Sequence, residues 1–157
     1  MYYGAGTAGG KSRQPATVPD LLIRRGEERD LAAIAAIQET APEAAHWDVT
    51  GYLQYDVRVA VRREQIAGFL VWRCVGGDEC EILNLAVLPE FRRQGVGRAL
   101  VQWLLARFSG PVFLEVRESN AAAILLYKSL GFQLVGSRDR YYESPPETAI
   151  VMKFHSC

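Results

Sequence analysis

The chain has 157 residues, 49% of them hydrophobic, which suits one domain with a single core. Lys plus Arg and Asp plus Glu both number 18, so the formal net charge is zero, and a nucleic-acid binder with its basic excess is not expected. The longest apolar run, "IAGFLVW", is far too short to span a bilayer, so no membrane partner is expected.

Residues 1–19, "MYYGAGTAGGKSRQPATVP", are small, polar and rich in Gly and Pro, and read as a flexible tail. No apolar segment follows the first basic residue, Lys11, so no secretory leader is expected. Residues 20–157 read as one domain. "LLIRR" is a strand, and "GEERDLAAIAAIQETAP" is a helix with Leu31, Ile34 and Ile37 on one stripe. "EAAHWDVTGYLQY" is a further helical piece. "RVAVRRE" and "QIAGFLVWRCV" are strands, and "GGD" turns the second of them into "ECEILNLAV" as a hairpin.

Val96, Ala99, Leu100, Trp103, Leu104 and Phe108 then fall at helical spacing until "SGP" stops them. "VFLEVR" is a short strand. "SNAAAILLYKSLGF" is a helix capped by Ser119 or Asn120, with Gly131 just past its end. "FQLVGS" and "TAIVMKF" are closing strands separated by a polar loop, "RDRYYESPPE". Alternating strands and helices make the class α/β with a mixed sheet. Cys74, Cys80 and Cys157 lack the C-x-x-C spacing of a zinc or redox site, so free thiols in a reducing cytoplasm are expected, with no metal.

"VLPEFRRQGVGRALV" runs two arginines and a glutamine into Gly-Val-Gly at the mouth of a helix. A helix N-terminus carries partial positive charge and unpaired N–H donors, and glycines before it let backbone amides close on an anion. Arg92, Arg93 and Arg98 add mobile charge around that nest. From "GVG" alone, a plain strand-to-helix turn with solvated arginines is the ordinary reading. Leu100 breaks the dinucleotide fingerprint, and Arg98-Ala99 breaks the P-loop. What remains is R-x-x-G-x-G: Arg92, Gly95 and Gly97.

This pattern, with "ILNLAVLPEFRRQGVGRAL" around it, resembles the pyrophosphate loop of the GNAT superfamily of acetyl-CoA-dependent N-acetyltransferases. "LEVRESNAAAILLYKSLGF" and "RYYESPPETAIVM" are similar to the bacterial RimI-type ribosomal-protein alanine N-acetyltransferases, with Thr148 where such sequences often carry Asp. The resemblance covers roughly residues 20–154. It implies the GNAT fold: a mixed, mostly antiparallel sheet with flanking helices and splayed central strands. It further implies that Arg92, Arg93, Gln94, Gly95, Val96, Gly97 and Arg98 hold the pyrophosphate of acetyl-CoA. The backbone of Leu85, Ala86 and Val87 would then pair with the pantetheine arm like an added strand, and Asn120 would touch that arm besides capping its helix.

Glu115 alternates with Val112, Leu114 and Val116 on "VFLEVR", so it shares a face with Phe113 and Arg117. By itself it reads evenly as a functional carboxylate or as an ion pair with Arg117. RimI-type enzymes carry a base-acting glutamate at the matching position. Tyr127 reads as a core aromatic on the face of Ile124; the family places a tyrosine there against the thioester sulfur. His46, Trp47, Tyr141 and Tyr142 are candidates for the acceptor groove, although a surface histidine and loop anchors are the ordinary reading. The expected acceptor is a protein N-terminus, such as that of a ribosomal protein. A small-molecule or lysine acetyltransferase and a non-catalytic acyl-CoA-binding module stay open.

Overall fold

Two periodicities decide the architecture. Alternating runs make seven strands: β1 Leu21–Arg25, β2 Asp56–Arg62, β3 Gln65–Val75, β4 Glu79–Val87, β5 Val112–Arg117, β6 Gln133–Glu143 and β7 Pro146–Phe154. Helical spacing makes α1 Leu31–Glu39, α2 Val96–Arg107 and α3 Ala121–Ser129. The computed structural model describes residues 20–41, 47–143 and 145–155. The reading of residues 1–19 as a tail lies outside the described residues, and so does His46.

The strands form one sheet in the order β1-β2-β3-β4-β5-β7-β6, antiparallel except between β4 and β5. α2 and α3 cover one face, where Leu70, Leu100, Val101, Leu114, Tyr127 and Met152 form the core. α1 and a 3-10 turn, Val49–Gln54, cover the other, over Ile34, Ile37, Tyr52, Val59 and Phe69. Asp30 fixes the start of α1: its carboxylate accepts from Arg24 at 2.8 and 2.9 Å and from the Glu27 N–H at 2.8 Å. The Arg24 guanidinium holds that carboxyl below the usual carboxylate range.

One irregularity positions the site. The β3–β4 register shifts between Val71, opposite Asn84, and Trp72, opposite Ile82, so β4 carries one extra residue. Such a bulge turns consecutive side chains toward the same face. Leu83 packs on the α1 layer and Asn84 bonds into it, whereas Leu85 and Val87 pack toward α2 and α3.

Two expectations are corrected. Cys74 and Cys80 are not free thiols: they face each other across the β3–β4 hairpin with Cα atoms 4.0 Å apart and form a disulfide. Spacing along the chain misses this pair because the turn at Gly76–Gly77, both at positive φ, creates the proximity. The reducing-compartment inference thereby loses its support; Cys157 lies outside the described residues. The polar stretch "RDRYYESPPE" is also not a loop. Most of it is strand, with β6 running through Glu143 at the sheet edge. An edge strand with exposed residues on both faces has no apolar alternation to reveal it.

Candidate active site

β4 and β5 pair in parallel only through Cys80–Ile82 and Val112–Leu114. Beyond these residues β5 continues on β7 as far as Arg117, and β4 diverges. The wedge between them opens into a cavity of about 490 Å³, lined by Leu85, Ala86 and Val87 on one side and Asn120, Ala123 and Leu126 on the other. Gly95, Val96, Gly97, Arg92, Arg93 and Arg98 close one end. Gly95 is the N-cap of α2 at φ 85°, a left-handed conformation that glycine adopts without a Cβ clash. No side chain caps this helix, so its first-turn N–H groups face the cavity mouth without an intrahelical partner. The arrangement fits a polyphosphate anion attached to an extended apolar arm.

The arginines are less mobile than expected. Arg92 Nε donates to the Val87 carbonyl at 3.0 Å, and its terminal nitrogen donates to the Thr40 carbonyl at 3.0 Å. Arg98 donates to Ser129 Oγ at 2.6 Å. Gln94 does not line the cavity: it donates to the Glu90 carbonyl at 3.0 Å and accepts from Arg62, bracing the loop from outside. Asn120 caps α3 by accepting the Ala123 N–H at 3.1 Å, and it also lines the cavity.

Glu115, Tyr127, Tyr141 and Tyr142 are not among the residues that line this cavity; Glu115 lies on β5, against Arg138 of β6. Arg138 Nε lies 2.9 Å from Glu115 Oε2, with the glutamate side chain 16% exposed. The contact is an ion pair rather than an aligned hydrogen bond, so Oε2 keeps accepting capacity. The sequence alternative of a Glu115–Arg117 pair is not what forms. Arg117 pairs with Glu147 at 3.3 Å and stacks over the Tyr142 ring at 4.2 Å. Glu147 also accepts the Ser119 N–H at 2.6 Å, tying β7 to the start of α3.

Burial, then the Glu115 charge, pushes the Tyr142 phenol up to about 12. Tyr141, half-exposed under Arg138, is raised for the same two reasons. Tyr127 is buried, and its ring meets Phe132 at 5.4 Å. Burial raises its phenol well above the ordinary range, with Tyr142 contributing.

Residues 24–132 match the Acetyltransferase (GNAT) family. The chain belongs to that family. A stretch of 81 residues is 47% identical to the [ribosomal protein bS18]-alanine N-acetyltransferase of Escherichia coli (strain K12), covering 48% of this chain and 55% of that protein. The chain therefore spans about half the length of the curated relatives it matches. The crystal structure of the ribosomal-protein-S18-alanine N-acetyltransferase from Escherichia coli superposes with a TM-score of 0.76 at 32% identity, over 87% of this chain and 95% of that one. Ard1 from Thermoplasma volcanium superposes with a TM-score of 0.79 at 27% identity, over 88% and 99%. The sheet with its parted β4 and β5 is the GNAT fold.

Trp47 is 41% exposed and lies beside Tyr52, with ring centroids 6.1 Å apart. Three residues beside this GNAT site escape a sequence reading. Tyr52 donates to Gln38 Oε1 at 2.5 Å, Asn84 Nδ2 donates to Gln38 Oε1 at 3.2 Å and to the Tyr52 oxygen at 2.9 Å, and Gln38 Nε2 donates to the Trp47 carbonyl at 2.6 Å. The signal for one of them is visible in hindsight: Asn84 is the single polar residue in "ILNLAV". Among the described residues no helix is long and apolar enough to cross a membrane, and no group of three His, Cys, Asp or Glu is placed to hold a metal ion.

Proposed function

We propose that this chain is an acetyl-CoA-dependent N-acetyltransferase acting on the α-amine of a protein N-terminus, with residues 20–157 working as one domain. One observation carries the reading. The Gly95–Gly97 nest and the parted edge of β4 line one cavity, which suits a pyrophosphate with an extended apolar arm attached, and β5, which carries Glu115, forms the other side of the same wedge. The likeness to the bS18-alanine N-acetyltransferases supports the acceptor class.

The chain's own groups divide the work. Backbone N–H groups of the α2 first turn bind the pyrophosphate, assisted by Arg93, with Arg92 and Arg98 held in place around it. Leu85 and Val87 offer apolar side chains and main-chain groups to the pantetheine arm. Acetyl transfer then needs a neutral amine, a polarised carbonyl and a protonated leaving thiolate. An α-amine has a pKa of about 7.7–8.0, so on the order of a tenth is neutral at pH 7. A lysine amine lies about 2.5 units higher and costs roughly 3.5 kcal/mol more to deprotonate. A single carboxylate acting through water, Glu115, is adequate for the first and poorly matched to the second.

Tyr127 is the acid. Burial strengthens the hold of its hydroxyl on its proton. It therefore hydrogen-bonds the departing sulfur and transfers the proton late. Trp47, Tyr141 and Tyr142 line the amine's approach, while His46 lies outside the described residues. The amine must come within about 3–3.5 Å of the thioester carbon, which favours a small first residue such as alanine.

The test is direct. The protein is incubated with acetyl-CoA and a panel of N-terminal peptides, lysine-blocked controls and polyamines, and the acetyl group is located by mass. Acetyl on α-amines of peptides with small first residues is expected. Acetyl only on lysines or polyamines would reject the acceptor, and no transfer despite acetyl-CoA binding would leave an acyl-CoA-binding module.

A further inference from the structure

We propose that Gln38, Tyr52 and Asn84 are positioning residues: a buried hydrogen-bond chain through them couples the cofactor strand to the acceptor wall and sets acceptor affinity. The inference rests on the reading that acetyl-CoA pairs along β4 and that α-amines enter beside Trp47.

The three side chains lie in the apolar layer of Ile34, Ile37, Val59 and Phe69, and all are buried: Tyr52 0%, Asn84 5% and Gln38 6% exposed. Stability alone does not call for polar groups there, because replacing both partners of a buried hydrogen bond by apolar groups of the same shape is close to neutral. Position does. At one end, Asn84 Oδ1 accepts the Leu85 N–H at 2.9 Å, on the cavity-lining strand just where it has parted from β5. At the other end, Gln38 Nε2 grips the Trp47 carbonyl at 2.6 Å, fixing the backbone that carries a half-exposed indole. Tyr52 joins the two amides and braces the indole from beneath.

The β4 bulge is what makes the chain possible. If the same residues alternated regularly from Ile82 with no bulge, Asn84 would face α2 and α3, and Leu85 would leave the cavity. One backbone irregularity therefore sets the cavity wall and the anchor of the acceptor wall together. A fully satisfied buried polar network is stiff, so ordering β4 against a bound cofactor holds Trp47 in the same step.

Two variants test this. Gln38→Met keeps the side chain's length and removes the grip on Trp47 and the acceptor for Tyr52 and Asn84. Tyr52→Phe keeps the ring packing and removes only the hydroxyl. Peptide KM, kcat and acetyl-CoA Kd are measured for each. Loss of a hydrogen bond is worth roughly two- to tenfold in an equilibrium, and only the part that reaches the Trp47 carbonyl shows in peptide KM. Gln38→Met is expected to raise peptide KM about tenfold and Tyr52→Phe about threefold, with kcat and acetyl-CoA Kd within about twofold of wild type. Unchanged peptide KM in folded variants overturns the proposal, as does an acetyl-CoA Kd that weakens in step with peptide KM, which is plain core loosening. If Gln38→Met does not fold, Tyr52→Phe decides by the same criterion. Wild-type protein that acetylates other amines but no α-amine would instead reject the acceptor reading, an outcome visible before any variant is made.

Discussion

On the α2 side of β4 the site is made of main chain: the left-handed Gly95, the first-turn N–H groups of α2 and the parted edge of the strand. On the β6–β7 side it is made of side chains: the Glu115–Arg138 and Arg117–Glu147 pairs and guanidiniums stacked on Tyr141 and Tyr142. A site of backbone amides accepts most surface changes but fails when a Cβ or a charge enters it. A site of side chains can be re-tuned by one substitution without disturbing the fold. The same scaffold can therefore keep its cofactor while its acceptor varies, which is the pattern expected where fold does not fix substrate.

The largest effect should come from breaking the backbone side. Gly95→Asp puts both bulk and negative charge where the phosphate sits, and at φ 85° it adds strain of about 1 kcal/mol or more. Acetyl-CoA should raise the melting temperature of the wild type through binding linkage. The variant should lose that rise, corresponding to a loss of at least about 100-fold in affinity. Gly95→Ala carries the strain without the charge and should retain part of the shift. A full shift in a folded Gly95→Asp protein would move the cofactor away from this loop.

Next comes Tyr127, the proposed acid, in the core beneath α2 and α3. Tyr127→Phe preserves the packing on Phe132 and removes the acid. Turnover should fall by about 10²–10⁴, the usual range for a positioned proton donor, with acetyl-CoA affinity nearly unchanged. Wild-type turnover in this variant would mean that the thiolate leaves without help from the phenol.

The two sides also differ in how readily a sequence reveals them. The cofactor side lies in one continuous stretch, and its requirements are local: glycines at a helix start, a strand before it, a cap after it. Strands β3, β4 and β5 and both flanking helices follow from periodicity alone because each buries an apolar face. The acceptor side draws on three remote segments. Arg138, on the edge strand β6, meets Glu115 of β5 by reaching across β7, a pairing that only the strand order β5-β7-β6 reveals. Gln38 looks like any polar residue of an amphipathic helix until Tyr52 and Asn84 close around it. Cys74 and Cys80 fail in the same way, since cross-strand register is not encoded in spacing.

A smaller effect tests the side-chain half. Glu115→Gln removes the acceptor of the amine's proton but leaves Arg138 and Tyr141 room to repack. Turnover should drop roughly 10- to 100-fold near neutral pH and recover in part as pH approaches the α-amine pKa, where the substrate supplies its own neutral form. A loss that is constant across pH would assign Glu115 to substrate placement rather than to proton transfer.

The smallest effect concerns the hairpin itself and is read in stability rather than rate. Burial and the Glu115 charge hold the Tyr142 phenol up to about 12, against 10.0 as its ordinary value. Below about pH 10 the phenol is protonated in folded and unfolded chains alike, and stability does not depend on it. As pH rises from about 10 to 12 the unfolded chain releases its proton first, so stability falls through that window. Tyr127 and Tyr141 shift in the same direction and add to the fall. Tyr142 is only half-buried, and solvent screening keeps its own share on the order of 1 kcal/mol. Between about pH 8 and pH 12 the urea midpoint should fall more steeply for wild type than for Tyr142→Phe, because the variant lacks one titration. Parallel curves would place the Tyr142 hydroxyl in open water, detached from Glu115, and the acceptor wall would then need a different anchor from the one the Arg117 stack provides.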